Sequence, residues 1–181
     1  MTEKSPTFKL RIAKSFVEDV IDGQVSPSLA VKQLYNAIEL ATEVAASQPS
    51  LELDDGTNHE EIIANAYRQL GLIQVDKAKE SRDPNDWNKA QEFFEKSSQA
   101  MPTQRAAFGI ALCMHGAIKE SKGGARFIRK VGGGKIYYTP LFREKPAKDE
   151  LMTTLEHVIE LDPDSELAVE AGKLLVKLKL K

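Results

Sequence analysis

Apolar residues recur at helical spacing along most of the chain. Between Phe8 and Ile21 they keep to an i, i+4, i+5 pattern, which places them on one face of an α-helix. The same periodicity predicts seven helices, which begin near residues 8, 27, 59, 87, 103, 148 and 165. The pattern therefore predicts an all-α protein.

Local signals indicate where these helices begin and end. Gly23 is typical of the position just after a helix, and Ser26-Pro27 is typical of an N-cap followed by the first helical residue. Asp83-Pro84 interrupts the chain in the same way before the fourth helix. These signals predict helices of ordinary length joined by short turns.

Residues 122–147 break the helical pattern. They contain Gly123-Gly124, a triple glycine at 132–134, Pro140 and Pro146, so we expect no helix there. Runs rich in β-branched and aromatic residues, 126–131 and 135–139, flank the triple glycine, which predicts a small β-hairpin. The segment is predicted to be a hairpin or loop insertion between two helices.

The helices form pairs whose ends are marked by prolines at positions 49, 102 and 163. A small or apolar residue stands twelve positions before each proline, with a second one four residues later and a third three residues after that. These positions are Ala37, Ala41, Val44, Ala90, Phe94, Ser97, Leu151, Leu155 and Val158. Tyr67, Leu70 and Gly71 add an aromatic-x-x-Leu-Gly element.

This arrangement resembles the tetratricopeptide repeat, a family in which antiparallel helix pairs stack into a right-handed superhelix. The resemblance implies a single domain over residues 1–181, with about three degenerate repeats and a capping helix. The pairs would span 6–48, 59–102 and 103–163, the last with the insertion 122–147, and the cap would span 165–181.

Composition and charge refine this picture. The formal net charge is −2, yet residues 119–148 carry nine Lys and Arg against Glu120 and Glu144. The single cysteine, Cys113, excludes an internal disulfide and favours a reducing, cytoplasmic location. No apolar run is long enough for a membrane helix, so we expect no membrane partner.

The sequence contains no recognisable catalytic or metal-binding constellation. The string Gly132-Gly133-Gly134-Lys135 lacks the first glycine and the Ser/Thr of a phosphate-binding loop. Cys113 and His115 are two residues apart, so they point to different sides of a helix. We therefore expect no enzyme, no metal and no cofactor.

The insertion combines positive charge with aromatic rings. Its candidate binding residues are Arg126, Arg129, Lys130, Lys135, Tyr137, Tyr138 and Arg143. Such a surface suits an acidic protein partner, this protein's own acidic stretches 49–61 or 149–170, or single-stranded RNA. A solvated hairpin whose lysines protect an edge strand is the plain alternative.

The resemblance also implies a concave groove, formed by the first helix of each pair, that receives a segment of a partner. By alignment its residues would be Asn65, Arg68, Leu72, Asp76, Ala106, Gly109 and Cys113. Alternatively, the small residues of the third pair simply permit close helix packing. Members that bind heat-shock chaperone tails carry Lys and Asn where Arg68 and Leu72 stand, so that clamp is absent here.

The last predicted helix has a second apolar stripe. Val169, Val176 and Leu180 lie on the side opposite Leu167 and Leu174. Because a helix with two apolar sides usually packs twice, we predict self-association through this stripe.

These features together predict a non-catalytic protein–protein interaction module. It would act as an adaptor or chaperone-like protein that holds a partner segment in its groove, while the basic hairpin adds electrostatic selectivity. The alternative is an RNA- or anion-binding module that uses residues 119–148. The two differ in their response to salt, because phosphate contacts weaken steeply as salt rises.

Overall fold

The computed structural model describes residues 5–122, 130–131, 134–135 and 144–180, with the side chains of residues 5–121 and 148–180. Within these ranges the chain forms seven α-helices, which confirms an all-α protein. They are α1 (Pro6–Ile21), α2 (Pro27–Ser47), α3 (His59–Ser81), α4 (Pro84–Ala100), α5 (Gln104–Lys122), α6 (Glu144–Leu161) and α7 (Glu166–Lys179).

Side-chain caps and backbone geometry explain most of the helix boundaries. Asn58, Asp83 and Ser165 each accept a hydrogen bond from a backbone N–H in the first turn of the helix that follows. Ser26 occupies the N-cap of α2 without such a bond. Gly23 follows the C-cap of α1 with a φ of 67°, a left-handed conformation that glycine adopts without strain.

The start of α6 corrects the predicted extent of the insertion. The helix begins at Glu144 rather than near Lys148, so Pro146 lies in its first turn. Proline is tolerated there because the backbone N–H groups of the first turn have no partner within the helix. At the other end, Lys122 still belongs to α5, and the prediction that no helix enters 122–147 is therefore wrong at both ends.

The described part of the insertion consists of β1 (Lys130–Val131) and β2 (Gly134–Lys135). They pair antiparallel, with Lys130 opposite Lys135 and Val131 opposite Gly134. The rest of the predicted ribbon lies outside the described residues, so the hairpin as a whole stays a prediction.

The helices pack in sequence order. Each helix contacts the next one in the chain, and in addition α1 contacts α3, α3 contacts α5, and α5 contacts α7. Among the described residues, α2, α4 and α6 make no contact with one another. The odd-numbered helices therefore form one continuous layer, and each even-numbered helix packs against two neighbouring helices of that layer.

The core consists of three clusters that follow one another along this layer. The first joins α1, α2 and the first half of α3, and includes Leu10, Leu34, Val44 and Ile62. The second joins the end of α3 with α4 and α5 around Trp87 and Phe94, and the third joins α5, α6 and α7 around Leu151, Leu155 and Val158. Burial of these side chains stabilises each helix pair against its neighbours.

The acidic loop after α2 is held against α1. Asp54 forms an ion pair with Arg11, the two side chains being 2.7 Å apart, and Asp55 forms one with Lys14. Two carboxylates of the stretch 49–61 therefore already have basic partners in α1.

Candidate partner-binding groove

A groove of about 670 Å³ lies between α3, α5 and α7. Its lining comes from the first half of α3, the last turn of α4, the first turns of α5 and α7, and the turn between α6 and α7. A smaller cavity of about 380 Å³ lies between α1 and α2, beside Phe16 and Leu40. The larger groove is formed mainly by α3, α5 and α7.

Two sets of side-chain hydrogen bonds fix the walls of this groove. Ser97 on α4 donates its hydroxyl to the carbonyl of Ala64 on α3 at 2.8 Å, and this bond is buried. The side-chain amide of Gln104 donates to the carbonyls of Val158 and Asp162, each at 2.9 Å, and to the Ser165 hydroxyl at 2.7 Å. The first turn of α5 is thereby joined to the beginning of α7.

The basic side of the groove consists of Arg68 from α3 and Arg105 from α5. Arg68 is half-buried, and its Nε has no hydrogen-bond partner among the described residues. Burial, followed by the positive charge of Arg105, lowers the pKa of the Arg68 guanidinium. No described carboxylate forms an ion pair with either arginine, so this part of the groove carries positive charge that is not neutralised within the described chain.

The lining also contains acidic and apolar side chains. Glu61 lies on α3, Asp162 in the turn between α6 and α7, and Glu166 in the first turn of α7. Met101 and Leu167 add apolar surface. A groove with basic, apolar and acidic side chains suits a peptide of mixed character better than a uniformly charged polymer.

The predicted groove residues of the second pair fall into two groups. Asn65 and Arg68 line the groove. Leu72, of which 43% is exposed, and Asp76 lie further along α3, outside its lining, and Asp76 forms an ion pair with Lys79. The structure therefore brings together only the first two of these four residues.

The predicted groove residues of the third pair are buried, which corrects their interpretation. Ala106 and Cys113 are fully buried, and Gly109 packs so closely on α4 that a β-carbon there would lie 2.4 Å from the Phe94 ring. The aromatic side chains of α4 fill the space that an open groove would need. The alternative of close helix packing therefore describes Ala106, Gly109 and Cys113.

The Cys113 thiol is chemically quiet in this position. Burial, and to a lesser extent the negative charge of Glu95, raises its pKa to about 12. The thiol is thus protonated at neutral pH, and a protonated thiol is a poor nucleophile and metal ligand.

The remaining predicted site residues are only partly described. Arg126, Arg129, Tyr137, Tyr138 and Arg143 lie outside the described residues, and Lys130 and Lys135 are described only as members of β1 and β2. On α7, Val169, Val176 and Leu180 are exposed to 53%, 57% and 81%, so self-association through them stays a prediction.

The predicted groove residues include neither Gln104 and Arg105 nor the acidic residues of the lining. Gln104 and Arg105 lie in the first turn of α5, where polar side chains usually face solvent. The aligned positions of the repeat fall instead on the small residues that follow them. The available signal was an arginine on each of two successive first helices, Arg68 and Arg105, near the positions that the repeat brings together.

Comparisons with known proteins add no family to this description. No protein-family model matches the chain. No curated protein matches its sequence either.

The residues that the structure describes contain no group of three or more His, Cys, Asp or Glu side chains that could hold a metal ion. None of their helices has both the length and the apolar character needed to cross a membrane.

Proposed function

We propose that this chain is a non-catalytic interaction module that binds a segment of a partner protein in the groove between α3, α5 and α7. The groove itself carries this proposal: about 670 Å³ of open space, lined by carboxylates, apolar side chains and two arginines that form no ion pair within the described part of the chain. Concave sites that offer a few polar groups beside apolar surface are the usual form of a binding site.

A tetratricopeptide-like architecture supports the same proposal. The nine small or apolar positions that define the repeat, from Ala37 to Val158, are each at most 2% exposed. A β-carbon at Gly71 would lie 2.9 Å from the Phe94 ring, so α3 and α4 pack closely at the aromatic-x-x-Leu-Gly element. The contacts of α1, α3, α5 and α7 with one another are those expected when the first helices of successive pairs line one surface.

The basic insertion would add electrostatic selectivity to this binding. The nine Lys and Arg between residues 119 and 148, in the insertion and beside it, would attract a partner whose surface is acidic next to the bound segment. We propose that the protein works as an adaptor or chaperone-like module in the cytoplasm, the location favoured by its single cysteine.

Filling the groove with a large side chain tests this proposal. Peptides that bind the full chain are first selected from a display library of random peptides of about twelve residues, which reach roughly 40 Å when extended. Asn65→Trp should abolish their binding because the indole occupies the groove. Asp76→Trp is the matched control, since Asp76 lies on the same helix but outside the groove lining.

The two variants separate the possible results. Binding that is lost in Asn65→Trp and kept in Asp76→Trp supports the groove. Equal binding by both variants, or a library from which no peptide is enriched on the wild-type chain, would contradict the proposed function.

A further inference from the structure

We propose that Arg68 and Arg105 form a subsite for one carboxylate side chain, an Asp or Glu of the partner segment. This inference rests on the proposed function, because it specifies the chemistry that the groove between α3, α5 and α7 recognises. It concerns side chains from two different helices that both line the groove.

Arg68 offers a buried donor that an anion could satisfy. A buried guanidinium N–H without an acceptor is unfavourable, and Arg68 Nε is such a group among the described residues. The neighbouring charge of Arg105 adds repulsion instead of relieving it. A carboxylate placed between the two side chains would accept hydrogen bonds from both guanidinium groups and neutralise the repulsion.

The chain itself offers little to fill this subsite. Residues 123–143, which join α5 to α6, contain no Asp or Glu. Glu61, Asp162 and Glu166 line the groove, yet none of them forms an ion pair with either arginine.

The charge of the whole lining favours a carboxylate over a phosphate. The lining holds two arginines and three carboxylates, so a doubly charged phosphate would be repelled by these carboxylates more strongly than a singly charged carboxylate. The same three carboxylates suit a basic residue placed next to the bound Asp or Glu. The expected ligand is therefore a peptide segment with one acidic residue beside a basic or apolar one.

A pair of matched libraries tests the subsite. The probes are two display libraries of random peptides that differ only in one fixed central residue, Glu in the first and Gln in the second. We expect selection on the wild-type chain to enrich the Glu library. For the best peptide, replacement of that Glu by Gln should weaken binding by about tenfold or more, the loss expected for a charge-assisted pair of hydrogen bonds.

Variants of the two arginines assign the effect to this subsite. Arg68→Met and Arg105→Gln should each weaken binding of the Glu peptide by a clearly larger factor than binding of the Gln peptide. Arg68→Lys should give an intermediate loss, because it keeps the charge without the planar fork. Lys32→Gln, at an exposed position on α2, is the control for the change in net charge.

The outcomes distinguish this inference from the proposed function. If peptides bind in the groove, as shown by their loss in Asn65→Trp, but the Glu and Gln libraries perform equally, the function stands and the subsite is wrong. If no peptide binds the groove, both are wrong. If inorganic phosphate displaces the Glu peptide at concentrations where acetate of equal ionic strength does not, the preference for carboxylate is wrong. Unchanged helicity and melting temperature of Arg68→Met exclude misfolding as the cause of a loss.

Discussion

At the scale of single residues, close packing depends on glycines that face aromatic rings. A β-carbon at Gly109 would lie 2.4 Å from the Phe94 ring, and one at Gly116 would lie 2.5 Å from the Trp87 ring. Both glycines belong to α5, and both rings belong to α4. These contacts explain why a helix tolerates residues that lower its intrinsic stability.

Gly109→Ala should destabilise the protein. Alanine improves helix propensity by about 1 kcal/mol, but the added methyl group forces Phe94 out of a closely packed site, which typically costs about 1–3 kcal/mol. We expect a net loss of stability in urea unfolding.

Gly172→Ala is the matched control for this substitution. Gly172 lies on α7, and a β-carbon there would meet no atom within 4 Å. This variant should gain roughly 0.5–1 kcal/mol in the free energy of unfolding. A Gly109→Ala protein as stable as Gly172→Ala would show that α4 and α5 are further apart than described.

At the scale of helices, Asp86 joins the end of α3 to the start of α4. Its side chain is about 10% exposed and accepts hydrogen bonds from Ser81 at 2.8 Å and Gln74 at 3.1 Å. Lys77 and Lys89 each lie 3.7 Å from the carboxylate. Burial alone would raise the pKa of Asp86, but the Ser81 hydrogen bond, the two lysines and the Gln74 hydrogen bond together lower it below the ordinary value of 3.8.

The lowered pKa of Asp86 predicts a loss of stability in acid. The carboxylate contributes stability above its unfolded pKa, and this contribution is lost as pH falls through the lower pKa of the folded state. Asp86→Asn should therefore cost about 1.5–3 kcal/mol at pH 7, and the difference from wild type should shrink below about pH 4. Urea unfolding of wild type and Asp86→Asn across this pH range measures the difference in the free energy of unfolding. A difference that is constant with pH would contradict the lowered pKa of Asp86.

Ser165 connects a helix cap to the groove. Its hydroxyl accepts hydrogen bonds from the backbone N–H of Ala168 and from Gln104. Ser165→Ala should lose about 1–2 kcal/mol, the usual cost of removing an N-cap. Ser26→Ala is the control, because Ser26 makes no cap hydrogen bond and its loss should be clearly smaller. If Ser165→Ala and Ser26→Ala lose the same stability in thermal unfolding, the hydrogen bonds of Ser165 with Ala168 and Gln104 contribute no stability beyond that of a cap position without them.

Most helices could be predicted from local sequence signals, and the exception has a physical reason. Ser26-Pro27 and Asp83-Pro84 act within one turn, so their effect is visible in the sequence, and α3 begins at His59 as predicted. Pro146 led to a wrong boundary for α6, because proline breaks a helix when it lies in the helix interior but is tolerated in the first turn. Which of these applies depends on where the helix begins, and no local signal marked Glu144.

At the scale of the whole molecule, the layer of odd-numbered helices connects the core clusters to the proposed binding groove. α3 and α5 each contribute to two successive core clusters, so disruption of one cluster affects its neighbour. The same two helices also supply Arg68 and Arg105 to the groove. Binding of a partner segment should therefore stabilise the molecule as well.

The groove was harder to predict than the helices. Register along the repeat located Asn65 and Arg68, because it fixes which face of α3 points toward the next pair. It could not show that Phe94 and Trp87 of α4 cover Gly109 and Gly116, since which aromatic side chain fills a gap depends on the crossing of two helices. Arg105 and the acidic residues at the start of α7 become neighbours only through the tertiary fold.

Hydrogen–deuterium exchange of the full chain, with and without a peptide selected on it, tests the central claim most directly. If the partner segment binds between α3, α5 and α7, exchange should slow at residues 61–68, 103–105 and 165–167, while residues 27–47 of α2 stay unchanged. Slower exchange confined to the exposed face of α7, residues 169–180, or no change in any segment at saturating peptide would contradict the claim.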